Sequence, residues 1–186
     1  MTVMNTYTSD ETDPATAAAA ALRPAAAGDT EAIASLWHQG WADGHLGHVP
    51  QALLEHRRRE DFLRRVPPRL PATTVATWDV PPERRLAGFV MLHGDEVEQL
   101  YVAAAARGGG VADVLMRHAE RTIAARSRVA WLAVAAGNAR ARRFYERSGW
   151  RDAGPIDYAA EVTGGTLVVP CRRYEKRLEE GPWSGR

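Results

Sequence analysis

The hydrophobic positions of this chain repeat at two spacings. A helical repeat predicts helices over residues 29–44, 50–66, 111–126 and 138–149. Alternating or continuous apolar runs predict strands: a short edge strand near residue 22, a three-stranded meander over 72–102, a buried strand over 129–135 and a closing hairpin that ends near residue 178. The predicted order of elements is β-α-α-β-β-β-α-β-α-β-β.

One part of this order has the arrangement of a crossover connection. The strand predicted over residues 96–102 leads into the helix at 111–126, and a second strand follows at 129–135. A strand, a helix and a strand in this order form a right-handed unit with parallel strands. Because the meander and the closing hairpin are antiparallel, the sequence predicts an α/β fold with a mixed sheet and helices on both faces.

Local signals mark the ends of the predicted helices. Asp29 or Thr30 is expected to cap the first helix, and Asn138 is expected to cap the last. The second helix is expected to end at Pro67, because proline cannot continue the helical hydrogen bonds. Gly149 is expected to end the last helix.

Length and composition point to one folded domain with two tails. The 186 residues are 45% hydrophobic and 25% charged, as is typical of soluble globular proteins. Residues 1–20 are small and polar, and we expect a disordered tail there because they bury too little apolar surface to offset ordering entropy. The domain is predicted over residues 21–178, followed by a short tail at 179–186.

Charge and cysteine content disfavour several classes of protein. A formal net charge of +1 disfavours a general nucleic-acid-binding protein, which normally carries a basic excess. Cys171 is the only cysteine, so no internal disulfide can form and a reducing compartment is expected. No apolar run approaches the roughly 18 residues of a membrane span, and no signal-peptide pattern opens the chain. We therefore expect a cytoplasmic protein without a membrane partner.

A glycine-rich run, RGGGVA at residues 107–112, joins the strand at 96–102 to the helix at 111–126. Free backbone N–H groups and the helix dipole favour an anion at a helix N-terminus, and glycines let a phosphate approach closely. A flexible linker has a similar composition, so the run alone does not decide between the two. A P-loop would require Gly-Lys-Ser/Thr and a dinucleotide fingerprint G-x-G-x-x-G near an N-terminal strand, and neither fits here.

Two segments together resemble the GCN5-related N-acetyltransferase (GNAT) superfamily. The run from Arg107 to Ala112 matches that family's acetyl-CoA loop, Q/R-x-x-G-x-G/A. The segment NARARRFYERSGW at 138–150 matches the family pattern N-x-x-A-x-x-F-Y-x-x-x-G-F/W. The resemblance covers roughly residues 22–178. It implies a GNAT-like, twisted and mostly antiparallel sheet of about six or seven strands, with acetyl-CoA as the co-substrate.

The resemblance also implies roles for individual residues. The strand around Leu100 and Val102 is expected to splay at a bulge and pair with the pantetheine arm of CoA, while the Val102 N–H polarises the thioester carbonyl. Tyr145 is expected near the thioester sulfur, and Asn138 near the pantetheine arm or the base, although capping alone is the alternative for Asn138. The expected CoA-binding residues are Leu100, Tyr101, Val102, Arg107, Gly108, Gly109, Gly110, Val111, Ala112, Asn138 and Tyr145.

Acetyl transfer to an amine requires a base and a stabilised leaving group. A lysine-like amine has a pKa of about 10.4, so forming its neutral state at pH 7 costs about 4 to 5 kcal/mol. Glu96 and Glu98, two residues apart on one strand, are the candidate bases. The alternatives are a water relay, or that one or both of them are solvated carboxylates beside a turn. The Tyr145 phenol is a weak acid with a usual pKa of about 10, so it either protonates the thiolate or only donates a hydrogen bond to it.

The segment WHQGWADGHLGH at residues 37–48 is rich in aromatic and histidine side chains. In the resembled family the turn after the first helix walls the acceptor pocket, so these side chains are candidates for an aromatic box around the amine, with core packing as the alternative. The candidates are Trp37, His38, Trp41 and His45, with Tyr158 and Glu161 of the late hairpin on the opposite wall. His45 and His48 have a spacing found in metal sites, but no cysteine or acidic cluster completes a ligand set, so we predict no metal.

These features predict an acetyl-CoA-dependent N-acetyltransferase that acts on a primary amine of a small molecule or peptide, by direct attack in a ternary complex. The alternative is a non-catalytic CoA-binding regulatory module with the same fold. A nucleic-acid-directed acetyltransferase of toxin type is disfavoured by the near-neutral charge. The expected partners are acetyl-CoA and an amine, and the protein is expected to be a monomer or a homodimer. No motif specifies the amine.

Overall fold

The structure, a computed structural model, describes residues 20–80 and 83–179. The strands are β1 (Ala21–Pro24), β2 (Thr73–Val80), β3 (Glu83–His93), β4 (Glu96–Val102), β5 (Val129–Ala135), β6 (Arg151–Val162) and β7 (Gly165–Arg177). The helices are α1 (Thr30–His45), α2 (Gln51–Leu54), α3 (Arg59–Arg65), α4 (Val111–Ala124) and α5 (Ala139–Arg147). The tails predicted at residues 1–19 and 180–186 lie outside the described residues. None of the helices described has the length and apolar content that crossing a lipid bilayer would demand.

The strands form one sheet in the order β1-β2-β3-β4-β5-β7-β6. Neighbouring strands are antiparallel except β4 and β5, which are parallel and are joined by the crossover helix α4. The closing hairpin places β7 between β5 and β6. The predicted mixed, mostly antiparallel sheet and its single crossover unit are therefore confirmed.

Alternating side chains of the sheet pack against helices on both faces. Val75 and Phe89 belong to one buried cluster with α1 and α3, whereas their neighbours Ala76 and Val90 belong to a second cluster with α4. Successive residues of a strand point to opposite faces, which explains this division. Helices on both faces, as predicted, make the sheet the central layer of the domain.

The strands β4 and β5 separate soon after they begin. Among the described residues their parallel ladder consists of one pair, Glu96 with Trp131, beside which the Trp131 N–H donates to the Asp95 carbonyl oxygen at 3.1 Å. On the other side of β4 the register with β3 shifts, because consecutive residues of β3 pair with Val97 and Gln99 and leave Glu98 as an extra residue. The bulge therefore lies at Glu98, before the triplet 100–102, and a wedge-shaped gap opens between β4 and β5.

The prediction of one continuous helix over residues 50–66 was wrong. The helix breaks after Leu54, and Arg58 has an extended backbone, with φ −78° and ψ 160°. The Asp61 carboxylate accepts the Arg58 N–H at 2.9 Å, so a side chain takes over a backbone donor and starts a new helix, α3. The break places Arg57 among the buried residues.

The predicted cap of the first helix also differs from the structure. Asp29 occupies the N-cap position of α1, but its carboxylate accepts the Ala26 N–H at 2.8 Å and pairs with Arg23 at 2.7 Å. The Thr30 hydroxyl donates to the Ala27 carbonyl oxygen at 2.8 Å. Both polar groups therefore stabilise the turn before α1, and neither caps the helix.

Candidate functional site

A cavity of about 620 Å³ lies at the gap between β4 and β5. Its walls come from α1 and the segment that follows it, from β4 and the glycine-rich loop, and from β5, α5 and the hairpin β6–β7. Most of the predicted site residues line this cavity: Trp37, Trp41, His45, Glu96, Glu98, Leu100, Tyr101, Val102, Arg107, Gly108, Gly110, Val111, Ala112, Asn138, Tyr145, Tyr158 and Glu161.

The glycine-rich loop presents free backbone donors to the cavity. Gly108 and Gly110 have φ of 84° and 77°, a left-handed conformation that favours glycine. Gly110 precedes the first residue of α4, Val111, and no side chain caps this helix. The first N–H groups of α4 therefore have no partner within the helix, and together with the helix dipole they form a site suited to an anion.

Two predicted site residues do not line the cavity. Gly109 has its φ outside the left-handed region, and a Cβ there would stand 3.4 Å from the Ala106 carbonyl oxygen, on the inner side of the loop. The His38 ring packs against Phe62, with the ring centroids 5.4 Å apart. His38 therefore packs against α3 and does not line the cavity.

Arginines of the loop and of α5 line the cavity. Arg107 donates to the Asp43 carboxylate of α1 at 2.6 Å, and both side chains are partly exposed. Arg140 and Arg147 of α5 also line the cavity. Neither α5 arginine was expected from the sequence, although both lie within the segment NARARRFYER, which matches the family pattern and supplied Asn138 and Tyr145 as candidates.

The backbone of β4 faces the gap with unpaired groups. The Ala103 N–H donates to the Ala87 carbonyl oxygen at 2.8 Å, and Val102 lies opposite Gly88. In an antiparallel pair this register makes Val102 and Gly88 a non-hydrogen-bonded pair, so the Val102 N–H points away from β3. The predicted oxyanion donor thus faces the side on which β5 has separated from β4.

The two candidate bases have different surroundings. Glu96 is 6% exposed and accepts a hydrogen bond from the Tyr158 hydroxyl at 2.9 Å. Burial raises the pKa of the Glu96 carboxyl, and the Tyr158 hydrogen bond opposes this rise in part. Glu98 instead pairs with Arg69, whose Nε and Nη2 lie 2.9 and 2.8 Å from Oε1. Glu96 is therefore the carboxylate that is better placed to take up a proton.

Tyr145 packs through its ring and leaves its hydroxyl unbonded. Its ring lies against Phe144, Trp150 and Tyr174, with centroid distances of 5.4, 6.3 and 6.0 Å. Within residues 20–80 and 83–179 the hydroxyl has no hydrogen-bond partner, and burial raises the pKa of Tyr145 to about 12. The hydroxyl is available to a ligand as a hydrogen-bond donor.

Asn138 begins α5 and meets the end of α1. Its Oδ1 accepts the Ala141 N–H at 3.1 Å, which confirms the predicted cap. A Cβ added to Gly44 would stand 2.9 Å from the Asn138 amide nitrogen, so the two helices come close at this glycine. Asn138 therefore caps a helix and also lines the cavity.

The aromatic segment combines core packing with the cavity wall. Trp37 is fully buried and packs edge-on against Phe62 and Phe89, with centroids 5.2 and 6.3 Å away. Trp41 stacks on His45 at 4.9 Å, and the His45 Nδ1–H donates to the Trp41 carbonyl oxygen at 2.9 Å. Burial lowers the pKa of His45. In the part of the chain that the structure describes, no group of three or more potential metal ligands comes together.

Three arginines on this wall were not predicted as site residues. The guanidinium of Arg57 lies 5.6 Å from the ring centroid of Trp41, and that of Arg65 lies 4.6 Å from the ring centroid of Trp37. Arg69 donates a hydrogen bond to Glu98. Arg57 and Arg65 also line a second cavity of about 250 Å³ beside α3 and the turn between β6 and β7. The run HRRRED is typical of a solvated face, so the sequence carried no signal that Arg57 turns inward.

A close contact between α1 and β4 offers a test of how the cavity wall is packed. A Cβ added to Gly40 would stand 2.3 Å from Cδ1 of Tyr101. We expect Gly40→Ala to lower the free energy of unfolding by about 1–3 kcal/mol through overpacking, despite a gain of about 1 kcal/mol in helix propensity. Thermal unfolding measures this effect, at about 2–4 °C in Tm per kcal/mol.

Gly28→Ala is the matched control for this change, because no heavy atom lies within 4 Å of the Cβ position at Gly28. We expect this variant to unfold at the wild-type temperature or above it. A Gly40→Ala protein as stable as the wild type would show that Tyr101 does not pack against α1.

Comparisons with known proteins agree with the fold and with the motifs. The family profile described as "Acetyltransferase (GNAT) family" matches residues 34–150. A search of curated protein sequences gives no match. A GCN5-related N-acetyltransferase from Rhodopseudomonas palustris has a similar structure, with a TM-score of 0.65, 21% identity, and coverage of 87% of this chain and 97% of its own.

Two further solved structures were determined with a ligand. The PaiA N-acetyltransferase from Thermoplasma acidophilum, in complex with coenzyme A, has a TM-score of 0.59 and 16% identity, over 86% of this chain and 99% of its own. A phosphinothricin acetyltransferase from Sinorhizobium meliloti, in complex with AcCoA, has a TM-score of 0.63 and 16% identity, over 90% of this chain and 93% of its own. At these identities the likeness shows the fold. Since the family profile covers more than half of the sequence, the chain belongs to the acetyltransferase (GNAT) family.

Proposed function

We propose that this protein is an acetyl-CoA-dependent N-acetyltransferase that acetylates a primary amine of a small molecule or peptide, by direct attack in a ternary complex. The observation that carries the proposal is the gap between β4 and β5. Free N–H groups of the glycine-rich loop and of the start of α4 lie beyond the C-terminal end of β4, and the buried carboxylate of Glu96 lies at its N-terminal end. Family membership and two similar structures in complex with coenzyme A or AcCoA support it.

Each group along the gap has a chemical task in this proposal. Acetyl-CoA supplies the acetyl group as an activated thioester. The N–H groups of the glycine-rich loop and of Val111 and Ala112 bind the pyrophosphate, and Arg107 adds positive charge. The Val102 N–H donates to the carbonyl oxygen, where negative charge develops during attack. Glu96 accepts a proton from the ammonium group of the acceptor, directly or through a water molecule. Tyr145 donates a hydrogen bond to the departing sulfur.

Calorimetry with acetyl-CoA, followed by a thiol-release assay on a panel of amines, tests the proposal. We expect saturable acetyl-CoA binding and release of free CoA that depends on the amine. A purified, folded protein that binds no acetyl-CoA would overturn the proposal. Binding without turnover of any amine would favour the alternative, a non-catalytic CoA-binding module.

Asp113 provides a test of the loop as the pyrophosphate site. It is exposed, lines the cavity and lies in the first turn of α4, where its charge opposes a bound anion. We expect Asp113→Asn to leave the Kd for CoA unchanged or to lower it, as measured by calorimetry. Asp157→Asn removes an exposed carboxylate away from the cavity and is the control. A large loss of CoA binding in the Asp113→Asn protein alone would show that the loop is misplaced.

A further inference from the structure

The chain between α1 and β2 forms one wall of the cavity. The arginines of this wall carry more positive charge than the carboxylates that contact them neutralise. Arg69 is fully engaged within the protein: it bonds Glu98, reaches Glu161 at 2.6 Å and donates to the Arg65 carbonyl oxygen at 3.1 Å. Arg65 lies 3.7 Å from the same Glu161 carboxylate. Glu161 is therefore shared between Arg69 and Arg65, whose buried Nε has no hydrogen-bond partner in the described part of the chain, and Glu98 pairs there with Arg69 alone.

Arg57 is the third arginine of this wall, and it lacks a carboxylate partner among the described residues. It is 7% exposed, its Nη1 donates to the His56 carbonyl oxygen at 2.8 Å, and its buried Nε has no hydrogen-bond partner. The negative charges of Asp61 and Glu161 favour the protonated state of Arg57, but neither carboxylate forms an ion pair with it. Both are already engaged, Asp61 with Arg64 and Glu161 with Arg69.

The guanidinium of Arg57 stays charged in this setting. Burial lowers the pKa of Arg57 to about 10, which still leaves it protonated at neutral pH. A buried, unpaired charge with an unsatisfied N–H is costly to a protein, and an anion that completes the pair recovers that cost. The ring of Trp41, 5.6 Å below the guanidinium, holds the side chain against the cavity wall.

We propose that Arg57 binds a carboxylate of the acceptor, so that the acceptor is an amine that also carries a carboxylate, such as an amino acid. A carboxylate matches the planar fork of a guanidinium and carries the single charge that one unpaired arginine requires. The amine of the same molecule bears the opposite charge and is directed to Glu96, which lines the same cavity. This inference rests on the proposed acetyltransferase function.

Pairs of amines that differ only in the presence of a carboxylate measure the effect of that carboxylate on the rate of acetylation. The probes are alanine with ethylamine, methionine with 3-(methylthio)propylamine, and phenylalanine with 2-phenylethylamine, each assayed by thiol release with saturating acetyl-CoA. For at least one pair we expect the wild-type kcat/KM for the amino acid to exceed that of its amine by about 10- to 100-fold, the effect of a hydrogen bond to a charged group.

Substitutions at Arg57 assign this preference to the guanidinium. In Arg57→Gln we expect kcat/KM for the amino acid to fall to the level of the amine, while the value for the amine stays the same. Arg57→Lys keeps the charge without the planar fork and is expected to give an intermediate preference. Arg58→Gln, an exposed neighbour that does not line the cavity, is the control and is expected to behave like the wild type.

Other results of these assays would contradict the role of Arg57, the proposed class of acceptor or the proposed function. If the wild-type protein has the same kcat/KM for both members of every pair, the inference is wrong. It is also wrong if Arg57→Gln still binds acetyl-CoA but loses kcat/KM equally for both members of a pair. If Arg57→Gln does not fold, the wild-type preference and the Arg57→Lys protein decide the question. If the wild-type protein binds acetyl-CoA and acetylates other amines but neither member of any pair, the proposed class of acceptor is wrong and the acetyltransferase function stands. If the wild-type protein does not bind acetyl-CoA, the proposed function itself is wrong.

Discussion

Replacing Glu96 with glutamine is expected to lower kcat for acetyl transfer at neutral pH by about 100-fold or more, the contribution of a positioned general base. The Glu96 carboxylate accepts one hydrogen bond from the described residues, that of the Tyr158 hydroxyl at 2.9 Å. Its other oxygen, Oε2, lies 3.9 Å from Nδ1 of the exposed His93 and accepts no hydrogen bond from the described residues, so it is available to an ammonium proton or to a water relay. Glutamine keeps the shape and accepts the Tyr158 bond, but it cannot take up the proton. Steady-state thiol-release rates compare the two proteins.

The pH dependence of kcat/KM, which reports ionisations of the free enzyme, gives a second readout of the same residue. Because burial raises the pKa of Glu96, the acidic limb of the profile is expected above the ordinary glutamate value of about 4.3, with activity lost as the pH falls through it. We expect this limb to disappear in Glu96→Gln and to persist in Glu98→Gln, since Arg69 holds Glu98. A Glu96→Gln protein with wild-type rate and profile would place the base elsewhere.

The same pKa shift has a consequence for stability, and its sign is opposite to that for activity. A carboxyl whose pKa is higher in the folded state stabilises the fold below its unfolded pKa, and this contribution is lost as the pH rises through the folded pKa. Above its folded-state pKa the buried, ionised Glu96 therefore destabilises the protein relative to the protonated form. Glutamine stays neutral, so the inactive Glu96→Gln variant is expected to have a Tm at least as high as the wild type at pH 7.

Replacing Tyr145 with phenylalanine is expected to lower kcat by about 10- to 100-fold and to leave the Kd for acetyl-CoA unchanged. A hydrogen bond to a charged group contributes about 1.5–3 kcal/mol, and the departing thiolate is such a group. The ring contacts of Tyr145 are aromatic and remain in phenylalanine. With a pKa of about 12, complete proton transfer from the phenol to a thiolate would be uphill by about 5 kcal/mol, so we assign Tyr145 hydrogen bonding.

Tyr174→Phe is the matched control for Tyr145→Phe. The Tyr174 hydroxyl donates to Glu146 at 2.8 Å and accepts from Arg142 at 3.2 Å, and the residue does not line the cavity. Its loss is expected to lower Tm and to leave kcat unchanged, which is the reverse of the pattern at Tyr145. If Tyr145→Phe retains full kcat, the hydroxyl has no catalytic role; if it loses acetyl-CoA binding, its role is in binding.

The sequence predicted well those elements whose signals are local. The strand at 129–135 and the start of the helix at 111 agree with the structure, because the apolar repeat and the glycine before the helix act over a few residues. The phosphate-binding loop could be proposed for the same reason, since its glycines adjoin the helix that they open. The cap at Asn138 is equally local, being formed with the N–H of Ala141.

The features that the sequence did not predict depend on contacts between distant segments. The apolar residues at 53, 54, 62, 63 and 66 suit a single helix, yet the backbone at Arg58 is extended and its N–H bonds the Asp61 carboxylate. Arg57, Arg58 and Arg59 are chemically identical, and only the first is buried, because the break turns it toward Trp41. Likewise, nothing in the separate strands indicated that Tyr158 of β6 would bond Glu96 of β4, 62 residues away.

The single pair that joins β4 to β5 means that backbone hydrogen bonds do little to hold the two halves of the sheet together. Cohesion comes instead from one apolar cluster that spans both halves through α4. Its members include Ala76, Val90 and Val97 from one half, Leu115, Ala119 and Ile123 from α4, and Ala130, Leu132 and Val134 from the other half. Apolar packing is non-directional, whereas a hydrogen-bonded ladder fixes the spacing of its strands. A fold that relies on the former can leave two backbone edges open at its centre and remain one cooperative unit.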